Sequence, residues 1–182
     1  MMCPVEQVKR IKRELVVKGA IIDYYHDTME MPDGKQAVWD FVKHNGAVAV
    51  VAVREDGKLL MVRQYRNALE RETVEIPAGA LDTPDEDPAS AALRELSEET
   101  GYTAGKLEHL HTLQTTVAFT NERIEMYVAT DLKPGKQHLD EGEYIDVEAY
   151  TLEELKEMIL ASKIQDGKTV CGILTYAAKY SL

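Results

Sequence analysis

The sequence is short of cysteine, of positive charge and of long apolar runs, and each shortage removes a class of protein. Among 182 residues only Cys3 and Cys171 are cysteines, near opposite ends of the chain. A disulfide framework is therefore not expected, and a reducing intracellular setting is. Lys and Arg number 21 against 32 Asp and Glu, for a formal net charge of -11. That sign argues against nucleic-acid backbones and anionic membranes as partners, since both are met by basic patches. No apolar run approaches the roughly 20 residues that span a bilayer. Residues 1–18 mix charges without an apolar stretch, unlike a signal peptide, so a cytoplasmic protein is expected. What the chain does have is core material: 45% of it is hydrophobic, enough for one domain with an added N-terminal element.

Strand signals dominate the first half. Residues 15–43 read as an antiparallel β element, with apolar runs at 15–17, 20–25 and 37–42 and a turn at Pro32-Asp33-Gly34. Residues 47–53 form a continuous apolar run suited to a strand buried on both faces. Further strands are expected over 58–64, 73–76, 105–112, 124–129 and 144–150, and a long loop over 131–143. A helix is predicted over 88–100. Asp87 suits its N-cap, Pro88 its first position and Gly101 its stop. Two more helices are expected over 151–161 and 168–180. The order is mixed α and β.

The predicted helix carries the chemistry. Glu95, Glu98 and Glu99 stand at i, i+3 and i+4, so their carboxylates share a face. Ala89, Ala92, Leu93 and Leu96 form a separate stripe that can pack on a sheet. Like charges so placed disfavour a helix by roughly 0.2–0.5 kcal/mol per pair, whereas clustered hard oxygens suit Mg²⁺ or Mn²⁺. The competing explanation is a solvated acidic face.

The run Arg94-Glu95-Leu96-Ser97-Glu98-Glu99-Thr100-Gly101-Tyr102 resembles the end of the Nudix box, Gx5Ex7REUxEExGU with U a bulky apolar residue. Glu86 precedes Arg94 by seven intervening residues, as the pattern asks, but Gly79 precedes Glu86 by six rather than five. Either the loop holds an extra residue or Asp85 takes the acidic position. Asn45-Gly46-Ala47-Val48, Val62-Arg63-Gln64-Tyr65-Arg66, Glu75-Ile76-Pro77-Ala78-Gly79 and Asp140-Glu141-Gly142-Glu143 are similar to segments of ADP-ribose pyrophosphatases, so the resemblance covers about residues 18–180.

That resemblance implies an α/β fold, a Nudix-type α/β/α sandwich with a mixed sheet over 44–182. Before it, over 1–43, comes an antiparallel β element that pairs across a homodimer. It also implies metal ions held by Glu95, Glu98, Glu99 and the Ala78 carbonyl, with Arg94 orienting the glutamates. A general base is implied on the loop before the last strand, matching Glu141 with Glu143 as the near alternative. Arg66 matches a position that reaches the substrate diphosphate. Arg63, three residues earlier, belongs on the opposite strand face and reads as a structural ion pair. Glu75 and Glu122 are further candidates for the substrate side, Glu75 as a support behind the metal.

The substrate is less well defined. Val117 stands where these pyrophosphatases carry a proline, and Trp39 where they commonly carry an arginine. An indole stacks on a base but donates no charged fork to phosphate; core packing explains Trp39 equally well. The expected activity is Mg²⁺-dependent hydrolysis of a nucleoside-diphosphate sugar, ADP-ribose giving AMP and ribose 5-phosphate. The alternatives are another such sugar or a dinucleotide, or a Nudix-like regulator that binds without turnover.

Overall fold

The computed structural model describes residues 7–182; Cys3 and the start of the N-terminal element lie outside them. The chain divides into two compact units. One runs through His44 and takes in Thr116–Glu122, and the other comprises Asn45–Thr115 and Arg123–Leu182. No described helix is long and apolar enough to cross a membrane.

The first unit is a three-stranded antiparallel sheet of β1 (Lys9–Lys18), β2 (Asp23–Glu30) and β3 (Gln36–Lys43), in that order. The turn at Pro32-Asp33-Gly34 is present, closed by Gly34 N–H on the Met31 carbonyl, with Gly34 at φ 81°. Residues 20–22, read above as strand, instead belong to the β1–β2 turn. Gly19 N–H bonds to the Ile22 carbonyl at 3.0 Å, which reverses the chain before the apolar run can pair. Asp27 is buried and takes both Nε and Nη2 of Arg13, whose guanidinium also lies 3.7 Å from the Phe41 ring centroid. The Arg13 hydrogen bond holds the Asp27 carboxyl below its usual value. Removing one partner strands the other charge. Asp27→Asn is expected to destabilise the protein by about 3 kcal/mol, read as a shifted urea midpoint at neutral pH. An unchanged midpoint would mean the pair is without net value.

The second unit is an α/β/α sandwich. Its sheet runs β10-β5-β4-β9-β8, with β6 pairing β5 and β7 pairing β4. The strands are β4 (Ala47–Val53), β5 (Leu59–Arg66), β6 (Arg71–Glu75), β7 (Ala78–Ala80), β8 (Tyr102–Gln114), β9 (Arg123–Pro134) and β10 (Ile145–Tyr150). β4 and β9 are parallel and the other pairs antiparallel, so the sheet is mixed. The apolar run of β4 explains the two helical layers. Val48, Val50 and Ala52 face α1 (Pro88–Thr100) through Ala91, Ala92 and Leu96. Ala49 and Val51 face α2 (Leu152–Leu160) and α3 (Gly167–Tyr180) through Leu155 and Ile173. Period-2 alternation of an all-apolar strand fills two cores at once.

The loop expected over 131–143 is shorter. β9 continues to Pro134 because β8 starts at Tyr102, and the two extensions pair with each other. Leu93 is exposed and Ala91 is buried, contrary to the stripe drawn above. The buried line instead passes through Ala92, Leu96 and Glu99, steps of four and three that follow one helical face. One of the three glutamates thus lies on the core side.

Candidate active site

Helix α1 begins where its caps dictate. Asp87 accepts from Ser90 N–H at 3.0 Å, and Gly101, at φ 76°, closes the end on the Ser97 carbonyl. The three glutamates follow from this register. Glu99 is buried, and its Oε2 accepts from Ala78 N–H at 2.9 Å. Burial pushes its carboxyl up to about 8; the Ala78 N–H opposes the rise, and the charges of Glu95 and Glu143 add to it. Glu95 is likewise raised, first by burial, with Arg94 opposing and Glu98 and Glu143 adding. Arg94 donates to Glu95 at 2.7 Å, to Glu98 at 3.1 Å and to Glu86 at 3.2 Å. It orients the glutamates as expected, and Glu86 rather than Asp85 meets it, so the extra residue is absorbed by the loop.

Strand β7 presents its free edge to these carboxylates. In an antiparallel pair, alternate residues point their N–H and carbonyl away from the neighbour. Val50 bonds to the Pro77 carbonyl, and Leu81 to that of Gly46. Those bonds make Ala49 and Ala78 a pair that exchanges none, so the Ala78 N–H and carbonyl point outward. A Cβ on Gly79 would fall within the Glu95 carboxylate; glycine is what allows that side chain to lie on the strand.

Do these residues fit a divalent cation? Among the described residues no three acidic, histidine or cysteine side chains converge closely enough in this arrangement to hold an ion, because Arg94 supplies the positive charge between Glu95 and Glu98. Three features nonetheless fit: an all-oxygen donor set, a carboxylate cradle that one methyl group would fill, and buried acids that repel one another. The cradle gives a test. Gly79→Ala should keep the fold, since the far end of Glu95 can swing away, but raise the Mg²⁺ needed for half-maximal activity about tenfold or more. An unchanged requirement would remove Glu95 from the metal set.

Arg63 and Arg66 diverge as strand alternation requires. Arg63 pairs with Glu148 at 2.9 and 3.0 Å, whereas Arg66 pairs with Glu75 at 2.8 and 2.6 Å. Glu75 is buried and also accepts from Thr73 and from Lys168 Nζ. Burial raises its carboxyl, but Arg66 and Lys168 outweigh that and bring it down to about 2. Glu75 therefore faces Arg66 and Lys168 with both oxygens occupied. Lys168 was missed in the sequence, though it had a signal: a lysine at the second position of a helix opposes the macrodipole and needs a reason to be there.

The loop before β10 brings the charge of Glu143 to bear on Glu95 and Glu99. Glu143 borders an open groove of about 420 Å³ with Tyr65, Glu72 and Tyr144; Glu141 lies in the turn before it, and both glutamates are exposed. In the first unit, Trp39 is half-exposed on β3, which removes the core-packing explanation within this chain. Glu122 lies 3.9 Å from His44.

Residues 43–170 match the NUDIX domain family, and the chain belongs to it: it is a Nudix hydrolase. It is 42% identical to the ADP-ribose pyrophosphatase of Bacillus subtilis over 176 residues, 96% of this chain and 95% of that one. It is also 42% identical to the methanol dehydrogenase activator of Bacillus methanolicus, over 91% of this chain and 90% of that one. Identity to the Mycobacterium tuberculosis ADP-ribose pyrophosphatase is 34%, over 92% of this chain and 82% of that one. A solved structure of an ADP compounds hydrolase superposes with a TM-score of 0.86 at 21% identity, covering 99% and 97% of the two chains. The fold expected from the sequence is thereby confirmed.

Proposed function

We propose that the chain hydrolyses ADP-ribose to AMP and ribose 5-phosphate with Mg²⁺, Mn²⁺ serving as a substitute. The observation that carries this reading is the mutually repelling carboxylate set of Glu95 and Glu99 against the outward edge of Ala78. Full-length identity of 42% to an ADP-ribose pyrophosphatase supports the substrate. Glu95, Glu98, Glu99 and the Ala78 carbonyl hold the metal. Bound there, Mg²⁺ supplies a lowered water pKa and shields the leaving phosphate. Arg66, whose Nε and Nη2 lie on Glu75, offers its remaining Nη1 side and its charge to the diphosphate, with Glu75 fixing its direction. Glu143 takes the proton as a water oxygen bonds to phosphorus and the bridging P–O bond breaks. Glu122 and Trp39 are further candidates for substrate contact, Trp39 by stacking on a base.

A homodimer in the cytoplasm is part of the reading. The homodimer is supported by the three-stranded sheet, whose strands leave Ile11, Leu15, Val17 and Trp39 exposed within one chain.

A second reading rests on the activator relative, which is as similar as the pyrophosphatase. In it, the chain regulates another enzyme, or acts on a dinucleotide or a different nucleoside-diphosphate sugar. Incubating the purified chain with Mg²⁺ and a panel of nucleoside-diphosphate sugars and dinucleotides, with products identified, separates these. AMP and ribose 5-phosphate from ADP-ribose support the first reading; binding without turnover supports the regulator.

A further inference from the structure

Helix α3 is fastened at its first turn to the segment that carries the site. Asp166 caps the helix through Thr169 N–H at 3.0 Å and Thr169 Oγ1 at 2.6 Å, and its Oδ2 also receives Lys168 Nζ at 3.0 Å. Thr169 Oγ1 in turn accepts from Ile76 N–H at 3.0 Å, and Lys168 Nζ donates to Glu75 Oε2. Two adjacent helix residues thus grip two adjacent strand residues, Glu75 and Ile76, just before the Pro77-Ala78-Gly79 edge. Glu75 is buried and Lys168 nearly so, their side chains 2% and 12% exposed, so Glu75 has its compensating charge in Lys168 and Arg66 rather than in solvent.

We propose that Lys168 is a positioning residue for the diphosphate: by holding Glu75 from the helix side, it fixes the direction in which Arg66 is offered to an anionic ligand. The proposal rests on the assignment of Arg66 to the diphosphate made above. Three cationic or hydroxyl donors share the Glu75 carboxylate: the Arg66 fork, Lys168 Nζ and Thr73 Oγ1. With Lys168 present, Arg66 is one of two charges on Glu75 and keeps part of its own field for a ligand. With Lys168 removed, Glu75 keeps its buried charge and Arg66 is its one remaining cationic partner, drawn inward to compensate it. Asp166 moderates the Lys168 charge without reaching Glu75. The fields of Arg66 and Lys168 both reach Glu99, which places this network beside the metal glutamates.

The test is a double-mutant cycle on ADP affinity, measured by calorimetry with Mg²⁺ present, which needs no turnover. Lys168→Met should weaken ADP about tenfold, Lys168→Arg should restore most of it, and in an Arg66→Ala background Lys168→Met should cost less than about twofold. Lys168→Gln replaces the methionine variant if that one fails to fold. If Lys168→Met weakens ADP equally in both backgrounds, or leaves it unchanged, the proposal is wrong. If Arg66→Ala itself leaves ADP affinity intact, the assignment of Arg66 fails first and takes the proposal with it. A role in stability alone would lower the melting temperature with ADP affinity of the folded protein unaltered, which also overturns it.

Discussion

Glu99→Gln is expected to reduce metal-dependent turnover at least about a hundredfold, since even groups behind the metal ligands commonly cost ten- to a hundredfold. The same substitution should make the metal-free protein more stable, and this second effect separates a ligand from a structural acid. Glu99 stands on the core side of α1 and is 5% exposed. Its carboxyl is raised from 4.5 to about 8, first by burial, so the folded state holds the proton more tightly than the unfolded chain. Below about pH 4.5 both states are protonated and Glu99 costs nothing. As pH rises to about 8 the unfolded chain ionises first, and metal-free stability declines through that window. The loss is on the order of a few kcal/mol at its upper end. Glutamine keeps an acceptor for the Ala78 N–H without the charge. Metal-free thermal melts at pH 8 should therefore place Glu99→Gln above the wild type. Mg²⁺ should raise the wild type and leave the variant where it was. A variant that melts lower and still responds to Mg²⁺ would take Glu99 out of the metal site.

Helix α1 shows why some of this architecture was legible in the sequence. Its start and stop are written in side chains whose effects are local: Asp87 bonds three residues on, Pro88 fits the first turn, and Gly101 alone tolerates φ 76° without strain. The Pro88–Thr100 bounds follow from those few residues. β4 was equally plain, because an apolar run of seven has nowhere to go but between two layers. The extension of β8 and β9 was hidden, since each end is polar and gains its structure from the other; pairing across a long separation leaves no local mark. Leu93 was misplaced for a related reason. Helical arithmetic gives the relative angles of side chains but not which way the sheet lies, and the sheet lies nearer Ala91 and Glu99. The cluster of Arg66, Glu75 and Lys168 joins residues 93 positions apart. Only the docking of α3 on β6 brings them together.

Glu143→Gln is expected to lower kcat by about a hundredfold to ten-thousandfold, the range a general base contributes, while Glu141→Gln stays close to wild type. Both carboxylates lie on the same short loop, and the family resemblance alone points first to Glu141. The electrostatics point the other way. Glu143 adds to the charge felt by both Glu95 and Glu99, so its charge acts on the glutamates of α1. Two local bonds keep it there: its backbone N–H reaches the Asp140 carbonyl at 3.1 Å, and its Oε2 accepts the Asp140 N–H at 3.2 Å. One further oxygen remains for an incoming water. Glu141 precedes Gly142, whose φ of 91° turns the chain and separates the two side chains. Because Glu143 repels Glu95 and Glu99 rather than sharing a bond with them, its neutralisation should change the Mg²⁺ requirement by no more than severalfold. The diagnostic pattern is thus a large loss in kcat with KM and Mg²⁺ activation nearly kept. A loss confined to Glu141→Gln would move the base two residues back along the loop, and equal small losses in both variants would leave proton removal to a group outside it.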